Sequence, residues 1–170
     1  MNYFELFEIR VQLKVDTASL PRKFFELSRK YHPDFFVNGS EQEKTRALEI
    51  SALLNKALKT FQNPDETIKY VLQLKGLLEE EEKYDLPPDF LREILEINEE
   101  LMEGRENKIL LSNLEIRITE LQKEIYEPVK EVVESYKEGI NSKKELLQVK
   151  EYYYKKKYLD RIRQQLNGIT

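Results

Sequence analysis

An imidazole and a carboxylate flank a proline in His32-Pro33-Asp34, and His32 is the only histidine among 170 residues. One histidine and no cysteine cannot assemble a zinc site, a thiolate nucleophile, a disulfide or thiolate ligation of an iron-sulfur cluster. The chain also lacks a glycine-rich phosphate loop and a nucleophile elbow. What remains to the tripeptide is recognition: a ring that donates and accepts hydrogen bonds, beside an anion, on a turn. We therefore expect no enzymatic activity, no metal and no cofactor. Pro33 fixes its own φ and biases His32 out of helical geometry, so a helix running through Tyr31 should stop there and leave His32 and Asp34 exposed.

That helix is readable from its periodicity. With Leu20 as origin and 100° per residue, Leu20, Phe24, Leu27 and Tyr31 fall at roughly 0°, 40°, 340° and 20°, a compact apolar stripe. On the same wheel Arg22 and Arg29 fall opposite that stripe and Lys23 and Lys30 on its flank, so four cations occupy the sector away from the core and lead into the turn. A solvated helix face has the same pattern, and the turn beside it is what gives the stripe meaning. After the turn, Asn38-Gly39-Ser40 supplies loop chemistry, and a second helix is predicted over residues 41–62, stopped by Asn63-Pro64. Ala47, Ile50, Leu54, Ala57, Leu58 and Phe61 keep helical spacing along it, so the two helices should pair as an antiparallel hairpin.

The composition, 40% hydrophobic and 35% charged with 5 glycines and 6 prolines, fits a small all-helical protein. Its net charge of -4 hides an asymmetry: residues 1–75 carry 12 Lys/Arg against 10 Asp/Glu, and residues 76–170 carry 16 against 22. Cations confined to short stripes on an acidic chain argue against nucleic acid, which needs an extended basic surface. No apolar run is long enough to span a bilayer, so no membrane partner is expected. The start, Met1-Asn2-Tyr3-Phe4-Glu5, shows no secretory or transit peptide, which points to a bacterial cytoplasm, with a mature mitochondrial form as the other option.

Between the halves, Glu79 to Glu82 followed by Asp85-Leu86-Pro87-Pro88 reads as a solvated linker and helix start. It lacks the spaced ligands and turn glycine of a calcium loop. On the helix predicted from Pro88 to Glu103, Phe90, Ile94, Ile97 and Leu101 form a core face. Leu91, Leu95 and Met102 lie together on another side, bordered by Glu96, Glu99 and Glu103. An apolar edge with a carboxylate rim suits protein docking, although the same residues could simply widen a bundle contact. Further on, Leu111, Leu114, Ile118, Leu121, Ile125, Val129, Val132 and Tyr136 mark a helix over residues 107–138, kinked at Pro128. After Gly139-Ile140-Asn141-Ser142, a last helix over residues 143–166 would line its inner side with Leu146, Val149, Tyr153, Leu159, Ile162 and Leu166. The run Tyr152-Tyr153-Tyr154 reads as packing and amphipathic cover, since adjacent rings on a helix diverge.

Tyr3-Phe4-Glu5-Leu6-Phe7, Arg29-Lys30-Tyr31-His32-Pro33-Asp34 and Leu53-Leu54-Asn55-Lys56-Ala57 together resemble a J-domain, with residues 63–72 similar to its closing helix. Phe35 departs from the pattern, which often has lysine there, and the basic fourth-helix motif of general-purpose J-proteins is missing. The chain as a whole resembles the HscB family of iron-sulfur co-chaperones. The resemblance implies an all-α fold with a J-domain over residues 1–75, a linker over 76–87 and a three-helix bundle over 88–170. It implies a chaperone-binding surface made of His32, Pro33, Asp34, Arg22, Lys23, Arg29 and Lys30, facing an HscA/DnaK-type heat-shock chaperone whose ATPase is stimulated. It also implies that Leu91, Leu95, Glu96, Glu99, Glu103 and Tyr158 contact an IscU-type iron-sulfur scaffold protein. Arg92 stands where an apolar residue is usual. Two other readings are a J-protein for a different client and a passive helical adaptor whose tripeptide is incidental.

Overall fold

The computed structural model describes residues 1–169, and every regular element among them is helical. The first, α1 (Tyr3–Leu6), is one turn closed by a capping box: the Asn2 side chain accepts from Glu5 N–H while the Glu5 carboxylate accepts from Asn2 N–H. It exists to deliver Phe4 and Phe7, which meet the Phe61 ring at 5.0 and 5.4 Å. Tyr3 stacks on Tyr70 at 4.3 Å and donates its N–H to the Tyr70 hydroxyl, tying the N-terminus to the closing helix.

The hairpin follows as expected from the periodicity. Helix α2 (Leu20–Lys30) buries Leu20 and Leu27 and packs Phe24 and Tyr31 partly against the core. A 3-10 turn (Pro33–Phe36) and a Ser40 capping box lead into α3 (Glu41–Gln62). Ala47, Ile50, Leu54, Ala57 and Phe61 of α3 are buried, and Leu58 is partly so. Asn63 then caps α4 (Pro64–Leu74) by accepting from Asp65 and Glu66 N–H. Gly76, at φ +70, ends α4 in a left-handed turn that a side chain would strain, with Leu77 N–H donating back to Leu72 C=O at 2.8 Å.

The second half is a three-helix bundle. Its helices are α5 (Pro88–Glu103), the pair α6 (Lys108–Tyr126) and α7 (Lys130–Ser135), and α8 (Lys143–Ile169). Pro128 breaks the middle helix with a 3-10 turn at Glu127–Val129, as its missing donor requires. The helix stops at Ser135, three residues earlier than its spacing suggests, because Tyr136 turns to extended geometry at ψ 135. A Ser142/Glu145 capping box opens α8.

α8 is the shared element. It packs on α5, α6 and α7 of the bundle and, on its other side, on α4. Tyr152, Tyr153 and Tyr154 are all buried even though they point in different directions, because at this level α8 has α4 as well as the bundle helices for neighbours, whereas Leu147 and Tyr158 elsewhere on it remain exposed. Burial pushes the phenols of Tyr153 and Tyr154 up to about 12. Across the seam between the halves, Lys156 bridges Asp65 of α4 and Asp160 of its own helix. Burial opposes its charge, yet the two carboxylates outweigh that and raise its pKa. Lys75 pairs with Glu138, and Lys14 with Glu134 at 3.4 Å.

The connection over residues 76–87 is not wholly solvated. Glu79, Glu80 and Glu81 are exposed, but Leu78 and Leu86 are buried. Glu82 accepts from Lys150 Nζ at 2.7 Å and from the Tyr154 hydroxyl at 3.1 Å, and Tyr84 stacks on Tyr154 at 4.6 Å. The last acidic side chain of the run therefore belongs to the packing of α8. The expectation of a free acidic linker missed this because its partners lie 68 and 72 residues away in sequence.

Candidate functional site

Two exposed surfaces carry the residues singled out from sequence. The first is the bend after α2. His32 is extended (φ -63, ψ 131), as the following proline demands, and its Nδ1 accepts from Asp34 N–H at 3.2 Å. An accepting Nδ1 leaves the ring proton on Nε2, so the neutral imidazole offers a donor to a partner. Asp34 Oδ2 lies 3.5 Å from the same Nδ1 and competes for it only when the ring is protonated. Phe35 N–H donates to His32 C=O at 3.0 Å, and Ser51 of α3 donates its hydroxyl to Tyr31 C=O at 3.2 Å, so the bend is clamped on both sides.

The cations divide. Arg22, Arg29 and Lys30 are exposed and make no ion pair among the described residues, and Lys30 lies 5.3 Å over the Tyr31 ring. Lys23 instead reaches back to Glu8 at 2.8 Å. That hydrogen bond lowers the Glu8 pKa and raises that of Lys23. Glu8 sits at φ 56, an unusual geometry for a residue with a side chain, and its turn aims the carboxylate at α2. Lys23 is thus half-spent inside the chain, which its helical angle alone could not reveal.

The second surface lies on α5. Phe90, Ile94, Ile97 and Leu101 are buried, Leu91 is partly buried, and Leu95 and Met102 are 61% and 71% exposed. α5 and α8 run parallel: Lys155 Nζ lies 5.5 Å over the Phe90 ring, while Asn98, Met102 and Gln165 line one cleft at the other end. On α8, Tyr158 is 36% exposed. The Arg161 guanidinium covers its ring at 5.6 Å.

The carboxylates also divide. Glu99 and Glu103 are exposed with no internal cation among the described residues. Glu96, grouped with them from sequence, faces α6, where Arg117 binds it at 3.2 Å together with Glu100 at 3.3 Å and Glu93 at 3.9 Å. Arg117 escaped the sequence reading, although Glu93, Glu96 and Glu100 at spacings of three and four form one acidic row that calls for a cation opposite. Arg92 is exposed and pairs with Asp89 at 3.5 Å. Among the described residues no group of His, Cys, Asp and Glu could hold a metal, and no helix is long and apolar enough to cross a membrane.

Comparison with known proteins covers both halves of the chain. Residues 86–167 match the HSCB C-terminal oligomerisation domain. The fold matches the crystal structure of human co-chaperone protein HscB with a TM-score of 0.77 and 32% identity, over 98% of this chain and 81% of that one. The chain belongs to the HscB co-chaperone family. That family consists of co-chaperones and not of enzymes. The chaperone HscB from Vibrio cholerae also matches, with a TM-score of 0.73 and 26% identity, over 99% of this chain and 97% of that one. In sequence, the co-chaperone protein HscB homolog of Shewanella halifaxensis is 41% identical over 104 residues, 61% of this chain. The homolog from Vibrio cholerae is 37% identical over 102 residues, 59% of this chain. Each alignment spans 60% of the relative's own length.

Proposed function

We propose that this HscB family member grips two proteins at once: an HscA/DnaK-type chaperone at the bend around His32, and an IscU-type iron-sulfur scaffold along the Leu91–Leu95–Tyr158 groove. Residues 1–75 act as the J-domain, residues 88–170 as the client-binding bundle, and residues 76–87 connect them. The observation that carries this reading is the His32-Pro33-Asp34 turn, exposed and clamped, beside three cations that make no ion pair within the chain among the described residues. An acidic chaperone surface would receive Arg22, Arg29 and Lys30, while the Nε2–H of His32 and the carboxylate of Asp34 engage its interdomain machinery. ATP and the cluster belong to the partners. We assign the protein to the bacterial cytoplasm, a reading supported by its bacterial relatives.

The test is steady-state ATP hydrolysis by a cognate chaperone with and without the purified protein. We expect stimulation by the wild type and its loss in His32→Gln, with far-UV circular dichroism unchanged because the ring is exposed. A wild-type protein that accelerates no cognate chaperone defeats the proposal.

A further inference from the structure

We propose that the chaperone-facing surface is anchored by apolar side chains, and that the face it meets is an apolar pocket rimmed by carboxylates, rather than a purely acidic one. This rests on the chaperone-activating role proposed above. Phe35, immediately after the tripeptide, is 74% exposed. It is nevertheless held: its N–H is bonded to His32 C=O, and its ring meets the imidazole edge-on, 6.4 Å between centroids at 84°. Leu48 is 58% exposed on α3, one turn before Ser51 and on the same flank. Ser51 is the residue that bonds Tyr31 C=O, and α3 packs on the 3-10 turn, so Leu48 borders the bend. On α2, Phe25 is 68% exposed, propped by the Phe24 ring at 6.3 Å. Arg22 and Arg29, three residues before it and four after, lie on either side of it.

Single exposed apolar residues are ordinary on protein surfaces. Phe35 and Leu48 beside the rigid turn, and Phe25 set between Arg22 and Arg29 on the helix that leads into it, combine exposed apolar groups with cations that make no ion pair among the described residues, which is the composition of an interface: apolar anchors with a charged surround. The cations require a complementary acidic rim, and the phenyl and isobutyl groups require a pocket that water leaves on binding. A lysine in place of Phe35 would add a fourth cation to that rim but would have to bury an ammonium where the ring sits.

Phe35→Ala and Phe35→Lys therefore separate the two kinds of partner surface, measured as the concentration of co-chaperone giving half-maximal stimulation of chaperone ATPase. We expect Phe35→Ala and Leu48→Ala each to raise it about tenfold, with maximal stimulation and helicity unchanged, and Phe35→Lys to do no better than Phe35→Ala. Wild-type behaviour of Phe35→Lys or of Phe35→Ala overturns the apolar anchor. So does sedimentation showing that Phe35→Ala dissociates a self-associated form without altering stimulation, which would make the patch a contact between copies. A His32→Gln control that stimulates as well as wild type signals instead that the chaperone-activating role itself is wrong, and the inference falls with it.

Discussion

At Leu95, an isobutyl group 61% exposed sits one turn from Leu91, which is partly buried, so the groove combines an anchored floor with a free knob. Truncating both in Leu91→Ala plus Leu95→Ala removes the apolar centre of the proposed client contact. We expect capture of an IscU-type scaffold to weaken about thirtyfold, on the order of 2 kcal/mol. Chaperone stimulation without client should be unchanged. Equal capture by wild type and double variant would show that the strip is only bundle surface. Angular stepping along α5 was enough to separate Phe90, Ile94, Ile97 and Leu101 from Leu91, Leu95 and Met102, because burial there follows the helical period alone. It could not separate Glu96 from Glu99 and Glu103. Their difference depends on Arg117, 21 residues away on another helix, and side-chain pairing across helices leaves no periodic trace.

At the scale of elements, helix starts were legible wherever a cap or a proline sits: α3 at Ser40, α5 at Pro88 and α8 at Ser142 all begin where local chemistry dictates. The role of α8 was not legible, since a stretch such as Tyr152-Tyr153-Tyr154 reads the same whether the helix has neighbours on one side or on several. The tie between Glu82 and Lys150 tests that role. Lys150 is buried, and its hydrogen bond is the main cause holding the Glu82 carboxyl below the usual carboxylate range. A carboxyl lowered on folding adds stability at neutral pH and loses it as pH falls through its folded value. Glu82→Gln should therefore cost about 1 kcal/mol at pH 7, by leaving the Lys150 charge unpaired. The gap from wild type should close in acid, below the ordinary carboxylate range. A Tm difference that persists there would mean the loss is one of packing.

For the whole molecule, the decisive relation is that α8 joins the bundle on one side and α4 on the other. Burial of Tyr152, Tyr153 and Tyr154 and the Lys156 bridge to Asp65 couple the two halves. We expect urea unfolding to be one transition, with tyrosine fluorescence and far-UV circular dichroism coinciding. Two separated transitions would show that the seam contributes little. The boundary proposed near Gly76 rests on the change in chain composition there. The sequence does not show the seam, which is built from residues far apart along the chain.

The Lys156–Asp65 seam has a mechanical corollary. Because the halves touch directly, the exposed Glu79–Glu81 stretch acts as slack and not as a hinge. Cargo held along α5 would then meet the motor protein at one fixed bearing, and lengthening that stretch by several residues would leave the heading unaltered. To swivel the molecule one would have to prise α4 from α8.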